Sequence, residues 1–424
     1  MPEGASMRRR RLLQLAVATG GVAGLSACLG AYDEPIPRGG DPLPSGQHHW
    51  NDRLHTDAAG NHLLPRHHLL LYADLRFGDR QTTAVRDRLD AAFRALTEAY
   101  RWGPEGLLFT VGYSPAYFRR HHGSSPEGVD LPPPRRLSPF ETPTFDQHDL
   151  LIHLASDRAD ALTGAEAALR GQREVVNGME APVAIDDLLG RLHRRTGFVG
   201  AGMPAERQSE LVGIPDDGPV PESAPLFMGF MTGFRQNQAT EAAVDLPAGP
   251  FRGGTTLALA NIRLSLDAWY TENSHPERVA KLFSPTHAAE GAVPGVGDTL
   301  GDHNGVTQAI IDEIDTDAAT QGLVGHAQKA ARANRTADGE PLTLRRHFES
   351  TDDGVASLHF PSYQREISRF EAVTEAMNGT DIAAAHPQVR QRVNNGILRY
   401  MFVQSRGNFL IPPVRKWALP TPTG

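Results

Sequence analysis

Hydrophobic and polar positions fall into two periods along this chain. His67–Leu75 (HHLLLYADL) is a nearly unbroken apolar run after its histidine pair. Such a run predicts a first strand. From Thr82 to Tyr100 the apolar positions Val85, Leu89, Ala92, Phe93 and Leu96 recur every three or four residues. That spacing predicts an amphipathic helix. Gly106–Val111 (GLLFTV) and Asp149–Ala155 (DLLIHLA) predict two further strands, separated by a Gly/Pro-rich loop over 121–144. A helix over Ala159–Arg170 follows. Strand–helix–strand, loop, strand–helix is a ferredoxin-like order.

A similar order recurs downstream. Gly254–Leu264 predicts a strand, Ser265–Tyr270 a helix or turn, and Val355–Phe360 another strand. Ile367–Met377 carries Ile367, Phe370, Val373 and Met377 on one helical stripe. The expectation is an α+β chain of two halves, about 63–220 and 221–424, sharing one body.

Ahead of this body lie a leader and a connection. Arg8–Arg11 precede an apolar stretch, Leu12–Leu25, broken by glycines. Basic, then apolar, then small is the pattern of a signal segment, expected over 1–27. The arginines before Leu12 resemble a twin-arginine signal, which implies the twin-arginine export machinery as a partner. Leu25-Ser26-Ala27-Cys28 resembles a lipoprotein processing box. Cys28 would then be lipidated and tether the chain to the membrane at its extracytoplasmic face. Residues 29–62 are rich in Gly, Pro, His and Asp without periodicity, and read as a flexible linker.

Composition narrows the chemistry. The 424 residues hold a single cysteine, which excludes an internal disulfide framework and a Cys-rich metal site. The formal charge of -8 argues against a nucleic-acid partner, since phosphate binding needs a basic face. Histidine is abundant, at 18, so imidazole or carboxylate would hold any metal or cofactor.

A series of blocks resembles the dye-decolorising peroxidase family of haem proteins. They are Gly106–Pro115 (GLLFTVGYSP), Asp149–Ala155 (DLLIHLA), Gly253–Leu257 (GGTTL) running on to Trp269, Leu344–Gly354 (LRRHFESTDDG), His359–Arg365 (HFPSYQR) and Gly407–Pro413 (GNFLIPP). The likeness covers roughly residues 65 to 413 in one order. It implies duplicated ferredoxin-like halves with antiparallel sheets, of the dimeric α/β-barrel type. It also implies haem b (iron protoporphyrin IX), hydrogen peroxide and an organic or dye-like donor as reactants, and a homo-oligomer.

Site residues follow by position in the resemblance. His326, nineteen residues before Arg345, matches the histidine that ligates haem iron. A neutral imidazole suits that role if its second nitrogen finds a partner. Arg345 matches the distal arginine, whose guanidinium would polarise peroxide. Arg346 is an alternative partner for a haem propionate, and His347 an acid–base candidate near the distal pocket. Arg365 and Arg406 are weaker propionate candidates. The family's distal aspartate lies in a Gly-x-x-Asp-Gly motif, and here Gly229-Phe-Met-Thr-Gly233 puts Thr232 in its place. Gly229 and Gly233 would shape the haem-side loop. Threonine can orient a water but has no pKa for base work.

Trp102, Trp269 and Tyr363 read as core aromatics, and the doublets His48-His49, His67-His68 and His121-His122 as exposed. The functional expectation is a haem peroxidase. The alternatives are a weakly active or non-enzymatic haem-handling lipoprotein, and an extracytoplasmic domain that kept the fold without haem.

Overall fold

A computed structural model describes residues 34–77, 82–180 and 184–424. The first half contributes β1 (His67–Leu75), α1 (Thr82–Ala99), β2 (Leu108–Tyr113), α2 (Pro115–His122), β3 (Leu150–Ser156), α3 (Ala159–Leu169) and β4 (Leu189–Phe198). Its strands lie in the order β4–β1–β3–β2, all antiparallel.

The second half contributes β5 (Thr255–Leu264), α4 (His326–Ala333), β6 (Leu344–Arg345), β7 (Phe348–Ser350), β8 (Ser357–Gln364), α5 (Ile367–Met377) and β9 (Met401–Ile411). Its strands lie in the order β9–β5–β8–β7, with β6 also on β8. If β6 and β7 are taken as one broken strand, both halves show the same order: fourth, first, third, second. This is the ferredoxin-like arrangement twice over. The halves join at two seams, Glu349 opposite Phe198 and Tyr113 opposite Leu410. With Thr144–Phe145 running parallel to β9, the strands make one ten-stranded mixed sheet.

The apolar run of β1 has a cause in this packing. Leu69, Leu71, Ala73 and Leu75 pack in one core with the α1 stripe of Val85, Leu89, Phe93 and Leu96. Leu70 and Tyr72 face the other way, against Leu257, Phe348, Tyr363 and Phe409 from the second half. Both faces of the strand are therefore covered, and alternation vanishes from its sequence. Leu89 and Phe93 are fully buried, and each contributes about 2 kcal/mol of hydrophobic stabilisation.

Several differences from the sequence reading have physical reasons. β4 was not anticipated, because its burial is mixed and its sequence, LGRLHRRTGF, is rich in cations. Those cations are paired: Arg194 with Glu166, and Arg195 with Asp353. The described part of the expected linker, 34–62, packs on the body. Trp50 sits in the main core, and Gln47 Nε2 donates to Val111 O (3.2 Å) and Pro412 O (2.8 Å). A few anchors among many polar residues leave no periodicity to read. The leader and Cys28 lie outside the described residues. Among the described residues no helix is long and apolar enough to cross a membrane.

Candidate functional site

A cavity of about 290 Å³ opens mainly among residues of the second half, with Ser138, Phe140 and Glu141 of the first half also lining it. Ala260, Ile262 and Leu264 line it from alternate positions of β5, and Leu358, Phe360 and Ser362 from alternate positions of β8. Phe370, Val373 and Met377 of α5 form another wall. Against this largely apolar lining stand a few polar groups, and most of the expected site residues are among them. His326, Arg345, His347, Thr232 and Gly233 all line the cavity.

His326 is the first residue of α4. Gln328 fastens the start of the helix, its Oε1 accepting from Gly325 N–H at 2.7 Å. Gly325 is required there, since a Cβ would come within 1.9 Å of the Phe283 carbonyl oxygen. The imidazole Nδ1 is buried and has no hydrogen-bond partner. Burial, then the charges of Lys329 and Arg345, push His326 down to about 3, so the ring is neutral near neutral pH. Lys329 itself is lowered to about 7 by burial, and its Nζ donates to Met377 O at 2.9 Å.

Arg345 and His347 belong to one extended segment with a two-residue period. Its cavity side carries Arg345, His347 and Glu349. Arg345 is clamped through its backbone: its N–H donates to Gln238 Oε1 at 2.8 Å, and Gln238 Nε2 donates to its carbonyl at 3.2 Å. Among the described residues its side chain donates to Asn237 O alone, at 3.3 Å, and its Nε is buried without a partner. Burial lowers it to about 10, which leaves it charged at neutral pH. His347 Nε2 lies 2.6 Å from Thr232 Oγ1, while its Nδ1 is buried and unpartnered. Burial and the Arg345 charge push His347 down to about 3.

Glu349 was missed by sequence reasoning. Phe227 N–H donates to its Oε1 at 3.1 Å, and its Oε2 is buried without a partner. Burial raises it to about 8, so the carboxyl holds its proton at neutral pH. The signal was available: in LRRHFES, positions 345, 347 and 349 must share a face if the segment is extended. Arg335 also lines the cavity and was not anticipated.

Other expected residues lie elsewhere. Arg346 points away from the cavity, as alternation demands, so it cannot meet a group bound there. It stacks over Trp50 at 4.5 Å, ion-pairs with Glu241 and donates to Asn51 Oδ1 at 3.0 Å. Gly229 does not line the cavity and abuts the Tyr270 hydroxyl. Arg406 lines it but is held by Glu141 through two hydrogen bonds, of 3.1 and 2.7 Å. Arg365 donates to Ala242 O at 3.4 Å, away from the cavity. Trp102, Trp269 and Tyr363 are core residues. The histidine doublets are not exposed. His48, His67 and His68 are buried, and His49, His121 and His122 half-buried. β1, which carries His67 and His68, is covered on both faces, and Asp149 takes the His121 ring at 3.0 Å.

The residues present fit a haem. The apolar walls would take the ring, the neutral buried His326 imidazole would hold the iron, and Arg345 and Arg335 would offer charge for peroxide and a carboxylate. The missing feature is a hydrogen-bond partner for His326 Nδ1, the position from which ligand basicity is usually tuned.

The fold is that of dye-decolorising peroxidases. The encapsulated DyP-type peroxidase from Mycobacterium smegmatis is similar with a TM-score of 0.56 at 16% identity, over 88% of this chain and 100% of that one. A dye-decolorizing peroxidase from Bacteroides thetaiotaomicron gives 0.52 at 13% identity, over 87% and 98%. DyPB from Rhodococcus jostii RHA1 gives 0.51 at 15%, over 85% and 96%. At such identities the likeness speaks for the fold alone. In sequence, residues 65–413 match a family of unknown function (DUF7405), and the chain belongs to that family. No curated protein matches it in sequence.

Proposed function

We propose that this chain is a haem protein that reduces hydrogen peroxide at the expense of an organic donor. The observation that carries the reading is one cavity lined at once by His326, Arg345, His347 and Thr232. The nineteen-residue spacing of His326 and Arg345 says nothing of such convergence; α4, packed on α5, and the extended segment through β6 and β7 line the same cavity. In this reading the two seams close the halves into the barrel of the dye-decolorising peroxidases. His326 would hold the iron, and Arg335 would receive a carboxylate of the bound group.

Bound haem would supply the redox centre that accepts oxidising equivalents from peroxide. The chain's residues do the rest. The Arg345 guanidinium, with an Nε free to donate, would hydrogen-bond the peroxide oxygen on which negative charge develops. Thr232 Oγ1 and His347 Nε2, already within 2.6 Å, would orient a water beside it. Among the described residues Glu349, protonated below about 8, is the carboxyl of the cavity without an ion pair, and it would hold a proton at Oε2. Glu141 is engaged by Arg406. The apolar walls exclude bulk water and so strengthen these contacts.

Export through the twin-arginine route and lipidation at Cys28 belong to the same proposal, on the strength of the leader's pattern alone. They would place the protein at the extracytoplasmic face. Thr232 in place of an aspartate favours a second reading, a haem-binding protein with little turnover. Stopped-flow absorbance of the haem-loaded protein with hydrogen peroxide separates the two. A fast spectral change with donor oxidation is expected. Retained haem with an unchanged spectrum would establish the second reading.

A further inference from the structure

Away from the cavity, a tight turn brings two adjacent histidines onto one carboxylate. His49 N–H donates to Gly46 O at 3.1 Å, closing the turn over residues 46–49. In a strand, neighbouring side chains point to opposite faces. In this turn both rings fold back over Gly46, where a Cβ would meet His48 Cε1 at 3.0 Å and His49 Nε2 at 3.1 Å. The carboxylate is Asp245, just past the short helix Glu241–Val244.

His48 Nε2 lies 2.8 Å and His49 Nε2 2.9 Å from the same oxygen, Asp245 Oδ1. The three ligand atoms are within 4.8 Å of one another. The two contacts differ in kind. His49 makes a well-directed hydrogen bond. His48 meets the carboxylate from a fully buried ring whose Nδ1 has no hydrogen-bond partner among the described residues. His49 and Asp245 are each about one-quarter exposed, which leaves a way in from solvent.

We propose that His48, His49 and Asp245 bind a divalent transition-metal ion of the zinc class. Two imidazoles and a carboxylate are borderline donors of the kind such ions prefer. Ligands about 2.1 Å from a tetrahedral ion are about 3.4 Å apart, so the ion would open the present contacts by roughly half an ångström. Rotation of the partly exposed His49 ring and Asp245 carboxylate would supply that movement. Nearby charge is balanced, since Arg346 is paired with Glu241. The ion would tie the segment before β1 to the helix Glu241–Val244. None of the three residues lines the cavity, so the site is independent of haem.

The test uses the full chain, stripped with a chelator and titrated with Zn²⁺ against a chromophoric chelator at neutral pH. One tight equivalent is expected, in haem-loaded and haem-free protein alike. Asp245→Asn and His49→Ala each alter a partly exposed ligand and should weaken that equivalent by roughly 100-fold or more. His386→Ala, remote from the turn, should leave it unchanged, and near-UV circular dichroism of each variant verifies the fold. Absence of a tight equivalent, or equal affinity in folded Asp245→Asn, overturns the proposal.

Discussion

Replacing Glu349 by Gln should stabilise the protein, and the gain should grow with pH. In the folded chain the carboxyl is buried, with one oxygen accepting from Phe227 N–H and the other unpartnered. Burial raises it from an ordinary 4.5 to about 8. The sign follows from linkage. Between those values the unfolded chain releases the proton while the folded chain keeps it, so stability falls as pH rises. The loss is about 1.4 kcal/mol per pH unit and reaches roughly 5 kcal/mol near pH 8, as an upper bound. Below pH 4.5 both states are protonated and this contribution disappears. Glutamine keeps the shape and has no proton to lose. Denaturant titrations of both proteins at several pH values from 4 to 8.5 give the difference directly. Buried histidines such as His347 impose an opposite slope, but they are common to both proteins and cancel. The expected result is a small difference at pH 4 that widens in favour of Glu349→Gln towards pH 8. Parallel stability profiles across that range would refute the buried, protonated carboxyl.

Other perturbations have equally definite outcomes. Arg345→Leu should slow the peroxide reaction of the haem-loaded protein by roughly 100- to 1,000-fold in stopped-flow absorbance, with haem retained. Thr232→Asp places a carboxylate beside His347 Nε2 and draws that imidazole up from about 3. The peroxide reaction should quicken and acquire a dependence on pH in the acid range. Arg346→Met should cost about 3 kcal/mol in denaturant unfolding, because Glu241 loses its ion-pair partner, while haem affinity stays the same.

The legible parts of the sequence were those where one local rule decided the outcome. β1 and α5 have the predicted bounds, because a two-sided apolar run and a single helical stripe admit few alternatives. β4 was hidden by arginines whose partners come from distant segments. Histidine pairing misled for a similar reason. Whether His48 and His49 diverge or converge depends on a turn closed by a hydrogen bond to Gly46, not on the residues themselves. At the cavity, resemblance brought forward His326, Arg345 and His347, and strand alternation separates them from Arg346. Glu349 escaped because a buried acid has no pattern of its own. It becomes visible only when the segment is known to be extended and its face known to be enclosed.

The central claim, haem in this cavity on His326, meets its most direct test in the absorption spectrum of the protein after haem loading. The wild-type chain should take up one haem and show a Soret band with an imidazole-ligated pattern. His326→Gly should lose that band and regain it on addition of free imidazole, which separates loss of a ligand from loss of the fold. A wild-type chain that takes up no haem, or a His326→Gly protein with an unchanged spectrum, would contradict the account.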